Sequence, residues 1–267
     1  MLQSKRGGTT QTYSTPWRKW VLWCEQRQVD PVSSPVKFLL DFLTELYHEG
    51  LQYRTINVYR SAISAYHEPI NGTPVGQLKD VCTLLSGIDN LRPPTPKYNV
   101  IWEVETVLQC LKLLDDENLS NKDLNLKTCM LLALTAIKRC SDLHILDTKF
   151  MAVGEDKIIF KLGERPKNCR KKGEAPDPIT FQATGGTLCP VMTSKVYIDR
   201  TKAWREENSE SKFFLSYIRP HKAVTSSTIG RWLKTVLGNV GVDTSKFTAH
   251  STRSASSSKA RTMGASV

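Results

Sequence analysis

Phe247-Thr248-Ala249-His250-Ser251-Thr252-Arg253 sets a histidine and an arginine three residues apart. On a helix, such positions share a face. Ser254, Ala255, Ser256, Ser257, Ser258, Lys259 and Ala260 follow, and the stretch predicts a helix over about 250–263 with the pair in its first turn. A helix start favours an anion. A guanidinium fork beside an imidazole suits a phosphate. Read alone, the pattern fits a polar helix start with a solvated Arg just as well. The phosphate reading needs a second cation cluster, and Arg139 offers one.

Arg139 follows a strongly apolar helix predicted from Leu124 to about Ile137. Ser120, with Asp123 three positions on, opens that helix as an acidic variant of a capping box. An Arg at the end of an apolar segment is costly to desolvate without a partner. Asp142 is placed to hold its guanidinium, which gives either a buttressed phosphate clamp or a structural Arg–Asp pair. Lys138, beside Arg139, is an oddity that either adds to the clamp or marks decay. The third element is the basic turn Arg165-Pro166-Lys167-Asn168-Cys169-Arg170-Lys171-Lys172-Gly173, between the β-prone stretches Lys157–Leu162 and Pro178–Phe181. It reads as a loop entering a nucleic-acid groove with one Lys as proton donor, or as a solvated loop.

Phosphodiester transfer explains this combination. Charge spreads over the equatorial oxygens as the phosphoryl group is attacked, and two guanidinium forks and a His neutralise it without a metal. A cationic acid then protonates the leaving 5′ oxygen. A side-chain oxygen attacks and forms a covalent intermediate. Neither cofactor nor metal is expected.

Composition agrees. The 267 residues are 40% apolar and carry a net charge of +11. Residues 1–97 contribute +3 and residues 98–267 contribute +8. Such an excess favours a polyanion, nucleic acid first. Seven cysteines without a C-x-x-C pair argue against a zinc site or a secreted disulfide scaffold and point to a reducing cytosol or nucleus. No apolar run reaches the ~18 residues of a membrane span, and the polar start, Met1 to Gln11, predicts no signal peptide.

In chain order, residues 1–12 read as a disordered lead. Ser14-Thr15-Pro16 predicts a helix start, with Trp17, Trp20, Val21 and Cys24 as its stripe. Ser33-Ser34-Pro35 opens a second helix that Gly50 stops. Tyr53–His67 and Val75–Asn90 complete a four-helix bundle over 13–92. Arg92-Pro93-Pro94-Thr95-Pro96-Lys97 marks a linker, set at 93–98. Residues 99–267 form a mixed domain, with further helices at Glu103–Leu114, Val191–Glu206 and Ser227–Leu237, and Phe213-Phe214-Leu215 as a strand or buried link. The fold class is mainly α with a small antiparallel β-sheet: a helical bundle plus an α+β domain.

Leu134-Thr135-Ala136-Ile137-Lys138-Arg139-Cys140-Ser141-Asp142-Leu143 resembles the first catalytic box of the tyrosine recombinases of the phage-integrase type. Thr248–Arg253 resembles their H-x-x-R box. From about Tyr13 onward the chain is similar to this family, closest to members carried by DIRS-like and Crypton-like mobile elements. The resemblance implies a SAM-like core-binding domain before the catalytic domain, the two forming a C-shaped clamp on double-stranded DNA. It implies DNA recombination or integration by phosphodiester strand transfer, self-association on DNA and a nuclear location. Arg139, His250 and Arg253 would be catalytic, with Asp142 supporting where Glu is commoner. Ser254 stands where bacterial members often carry His. Lys167 is chosen as the hairpin lysine, with Lys171 and Lys172 as rivals. Arg54, Arg60, Arg170, Lys171, Lys172, Arg231 and Lys234 are the expected DNA contacts, each alternatively a solvated charge. The family's nucleophilic Tyr lies beyond H-x-x-R, whereas the last tyrosines here are Tyr197 and Tyr217, both upstream. The chain as given is therefore expected to form no covalent DNA link, with Tyr217 the sole nearby substitute. Two other readings are a non-catalytic DNA-binding protein derived from a mobile element and a basic interaction protein with no defined site.

Overall fold

The structure, a computed structural model, describes residues 7–94, 101–166, 169 and 174–264, with the backbone alone for 7–10. The chain divides into two compact units, Met1–Lys97 and Tyr98–Val267.

The first unit packs four helices, α1 (Gly7–Glu25), α2 (Val36–His48), α3 (Tyr53–Tyr66) and α4 (Lys79–Leu91). Their apolar stripes meet in one core of Trp20, Trp23, Leu39, Phe42, Leu46, Ile56, Ile63, Leu85 and Ile88. Trp20 and Trp23 stack at 5.4 Å, and the edge of Phe42 closes on both. Each indole N–H finds an acceptor, as a buried Trp requires: Trp20 donates to Pro31 O at 2.9 Å and Trp23 to Glu45 Oε2 at 2.6 Å. Gly50, at φ +87°, takes the left-handed conformation that ends α2.

One expectation fails at the start. The helix begins at Gly7, so residues 7–12 are helical rather than a disordered lead, and Pro16 lies buried inside α1 rather than at its first turn. Pro16 removes one i→i−4 bond. Burial of Trp20, Trp23 and Cys24 on the same helix outweighs that loss. Propensity near a helix end is a weak prior against such packing.

The second unit is built around α6 (Asn121–Ala136). Leu124 through Leu134 are all buried, so this helix is enclosed on every side. Its start follows the sequence reading: Ser120 Oγ accepts the Asp123 N–H at 3.1 Å. Around it stand α8 (Pro190–Arg200), α10 (Ser226–Asn239), α11 (Ala249–Thr262), the short α7 (Cys140–His144) and one strand of the sheet. α5 (Val104–Lys112) packs on α11. The predicted helix over 191–206 is two helices, α8 and α9 (Lys202–Asn208), because Thr201 leaves helical geometry and turns its hydroxyl onto Tyr197 O at 2.7 Å. Phe213-Phe214-Leu215 is the buried link.

The sheet is antiparallel in the order β1 (Met151–Val153), β2 (Lys157–Phe160), β3 (Ile179–Gln182). Ile158, Phe160, Ile179 and Phe181 face the core, in the alternation expected of a sheet covered on one side. Phe160 pairs with Ile179, so the basic stretch is the β2–β3 connection. Arg165 Nη2 donates to Glu174 O at 3.2 Å and closes its base. Lys167, Asn168 and residues 170–173 lie outside the described residues. Among the described residues no helix is long and apolar enough to cross a membrane.

Candidate functional site

The left-handed turn at Ile137 delivers Arg139. Helix α6 ends there with φ 52° and ψ 36°. Glycine or asparagine usually fills such a cap, and a β-branched residue in it stores about 1–3 kcal/mol of strain. The chain then extends through Arg139, the N-cap of α7. Asp142 Oδ2 accepts the Arg139 main-chain N–H at 3.1 Å. Asp142 thus braces Arg139 through the backbone, by capping the helix from which the guanidinium departs.

Helix α10 brings the two boxes together. A Cβ on Gly230 of α10 would lie 3.8 Å from Cys140 Sγ and 3.7 Å from Ala249 Cβ. Cys140 follows Arg139, and Ala249 precedes His250. The Arg box and the H-x-x-R turn therefore rest on one backing helix. The result is a cavity of about 240 Å³ whose wall includes Lys138, Arg139, Asp142, Pro166, Cys169, Asp177 and Arg253. Arg139 and Arg253, far apart in sequence, open on the same space. Pro166 and Cys169 place the described part of the basic connection on its rim.

Arg253 is half-buried and makes no hydrogen bond or ion pair among the described residues. His250, one turn earlier on α11, is exposed and stands outside the cavity lining. Burial raises the Cys140 thiol pKa and so keeps it neutral beside the site.

Sequence reasoning missed Trp102. Its indole, 7% exposed, donates to Ser251 Oγ at 2.9 Å, and Ser251 in turn donates to Thr248 O at 2.7 Å. The ring thereby fixes the first turn of α11, the turn that carries His250. The available signal was a tryptophan close after the Pro-rich stretch, since a buried indole must find an acceptor. Trp102→Phe keeps most of the burial and removes the donor. Denaturant unfolding is expected to show a loss of about 1–2 kcal/mol. Ser251→Ala should cost a similar amount, and the double variant less than the sum; full additivity would mean the contact contributes nothing.

The remaining candidates divide. Arg54, Arg231 and Lys234 are exposed. Arg60 is not the exposed cation expected. It is half-buried, with Nε and Nη2 on Asn57 Oδ1 at 2.9 and 2.7 Å and Nη1 on Gly76 O at 2.9 Å. Gly76 is needed there, because a Cβ would meet Ser64 Cβ at 2.8 Å. Arg231 donates to Thr228 Oγ1 and lines a second cavity of about 610 Å³ with Arg219, Lys222 and Tyr217. Tyr217 stacks on Trp232 there and does not line the Arg139–Arg253 cavity. Tyr197 is buried, accepts the Leu215 N–H at 2.9 Å, and has its pKa pushed up to about 12 by that burial.

No family model matches the chain, and neither does any curated protein. Solved structures do. The XerH site-specific recombinase bound to palindromic difH substrate, a post-cleavage complex, is similar over 91% of this chain at TM-score 0.57 and 14% identity. The lambda integrase dimer bound to a COC′ core site is similar over 98% of this chain and 82% of its own at TM-score 0.54 and 14% identity. The Tn1549 transposon integrase in complex with transposon right end DNA is similar over 86% and 74% at TM-score 0.53 and 14% identity. The chain spans 66% of that XerH chain, and 59% of the XerH chain in a pre-cleavage complex. The fold is that of the tyrosine recombinases of the phage-integrase type.

Proposed function

We propose that this chain binds duplex DNA and holds one backbone phosphate between Arg139 and Arg253, as the phosphate-binding part of a strand-transferring recombinase. The observation that carries this reading is the shared cavity of those two residues. Two planar forks suit the equatorial oxygens of a phosphoryl group under attack. The Ile137 strain and the Asp142 cap hold Arg139 in place beforehand, as electrostatic stabilisation requires. His250, at the open end of the first turn of α11, would close on the same phosphate when DNA is bound. A lysine of the β2–β3 connection, Lys167 before Lys171 and Lys172, would supply the proton for the leaving oxygen. Arg54, Arg170, Arg231 and Lys234 would meet flanking phosphates. The structural neighbours support the substrate class, since XerH, Tn1549 integrase and lambda integrase are each bound to DNA in those structures. A mobile-element origin of the DIRS or Crypton kind, self-association on DNA and action in the nucleus belong to the same reading.

A second reading is DNA binding in which neither Tyr197 nor Tyr217 cleaves the strand. Tyr197 is committed to the core, and Tyr217 lines a different cavity. Neither is placed to attack a phosphate between Arg139 and Arg253. Incubation with nicked suicide DNA separates the two readings, because a covalent adduct excludes the second.

Binding itself is tested by titrating duplex DNA over a range of salt. With about four phosphates neutralised, log affinity should fall against log salt with a slope of about −3 to −4, or roughly a hundredfold between about 50 and 200 mM. A flat profile would remove the phosphate reading.

A further inference from the structure

We propose that Lys138 is a third phosphate ligand of this cavity, binding the same backbone phosphate as Arg139 and Arg253. The inference rests on the phosphate reading above and extends it to Lys138, which the sequence leaves open between adding to the clamp and marking decay. It begins at Ile137. A non-glycine, β-branched residue at φ 52° is a rare outlier, and strain of that kind concentrates where a site needs it. Here the turn ends α6 so that the next two residues, Lys138 and Arg139, both border one cavity instead of continuing around the helix.

Lys138 is half-buried and makes no hydrogen bond or ion pair among the described residues. The described acids on the wall form no ion pair with it. Asp142 is engaged with the Arg139 N–H at 3.1 Å and the Ser141 hydroxyl at 3.4 Å. Asp177 is exposed and forms no ion pair among the described residues. Among the described residues of the wall, three cations face two carboxylates, a net positive lining that suits an anion with several oxygens. A phosphodiester offers its oxygens to two planar forks and one point charge. Free phosphate shares this chemistry, so the source must be separated by experiment.

The test uses the full chain and four variants: Lys138→Ala, Lys138→Arg, Arg253→Ala and, as a surface control, Lys246→Ala, whose side chain is 74% exposed. Duplex DNA is titrated across salt, with and without inorganic phosphate as competitor. Lys138→Ala is expected to lower affinity about tenfold at low salt and to make the log–log slope shallower by about one. Lys138→Arg restores the slope, and Lys246→Ala leaves both readouts near the parent. Competition by millimolar phosphate that disappears in Lys138→Ala would assign the site to free phosphate as well as DNA. Unchanged slope and affinity in Lys138→Ala, with Arg253→Ala impaired, overturns the role of Lys138 and leaves the two-arginine reading standing. If Arg253→Ala is also unimpaired, the phosphate reading itself has failed. Lys138→Gln, nearly isosteric and neutral, gives the same comparison if the alanine variant does not fold.

Discussion

Arg253→Ala should weaken duplex DNA binding by about tenfold to a hundredfold at fixed, low salt. The estimate follows from one guanidinium–phosphate contact, since hydrogen bonds to charged groups contribute about 1.5–3 kcal/mol. Arg253 is half-buried on the cavity wall and has no protein partner among the described residues, so its removal breaks no ion pair there. The loss therefore reports on the ligand rather than on a damaged fold. Arg139→Ala should lose a similar amount, and the double variant less than the sum, because both forks hold one phosphate. Arg253→Lys should recover only part of the loss, since an ammonium cannot make the bidentate contact. Fluorescence anisotropy on a labelled duplex measures all four. Lys246, ion-paired to Asp243 at 3.3 Å on the turn before α11, provides the yardstick for a solvated cation. If Arg253→Ala and Lys246→Ala prove equivalent, the cavity is not where the DNA backbone binds.

How much of the structure is legible in the sequence depends on how local its cause is. The start of α6 was legible because Ser120 and Asp123 sit one turn apart and settle the matter between themselves. The β-prone stretches were legible because Ile158, Phe160, Ile179 and Phe181 alternate with polar or outward residues. The Arg139–Arg253 pairing is suggested by the need of a phosphate for a second cation cluster and by the resemblance, since no periodicity connects residues so far apart. Long-range contacts remained hidden. Trp102 reaches Ser251 across 149 positions, and Arg60 ties down Gly76 rather than facing solvent. The beginning of α1 was misread because Pro16 is a strong local signal that burial of Trp20 and Trp23 overrules. The bond from the Arg139 main-chain N–H to the Asp142 carboxylate is one that spacing does not foresee. Spacing can place a carboxylate near Arg139 but cannot choose between its N–H and its guanidinium.

Lys127→Ala is expected to cost about 3–5 kcal/mol, the largest stability loss argued for this chain. The Lys127 side chain is wholly buried on α6, where every neighbouring position is also enclosed. Its Nζ lies 2.7 Å from Asp116 Oδ1 and donates to Leu114 O at 2.6 Å. The other carboxylate oxygen, Oδ2, accepts from Thr193 Oγ1 on α8 at 2.6 Å. One charge pair thus joins the loop before α6, α6 itself and α8. Truncating the lysine leaves Asp116, whose side chain is 14% exposed, without its counter-charge, and opens a cavity in the most enclosed helix of the unit. At roughly 2–4 °C per kcal/mol for a unit of this size, the melting midpoint should fall by about 6–20 °C. Lys127→Met with Asp116→Leu should recover most of the loss, because apolar replacements remove both charges together. Recovery should stop short of complete, since the Leu114 carbonyl and the Thr193 hydroxyl are then left unpaired. A cost below about 1 kcal/mol for the single variant would show that water reaches the pair. The consequence extends to the site: α6 ends in the strained Ile137 turn that presents Lys138 and Arg139, so DNA affinity of the folded variant should fall as that turn relaxes. Calorimetry and anisotropy on the same sample separate the two effects, and a destabilised variant with parental affinity would show that the turn is held by its own cap rather than by the helix behind it.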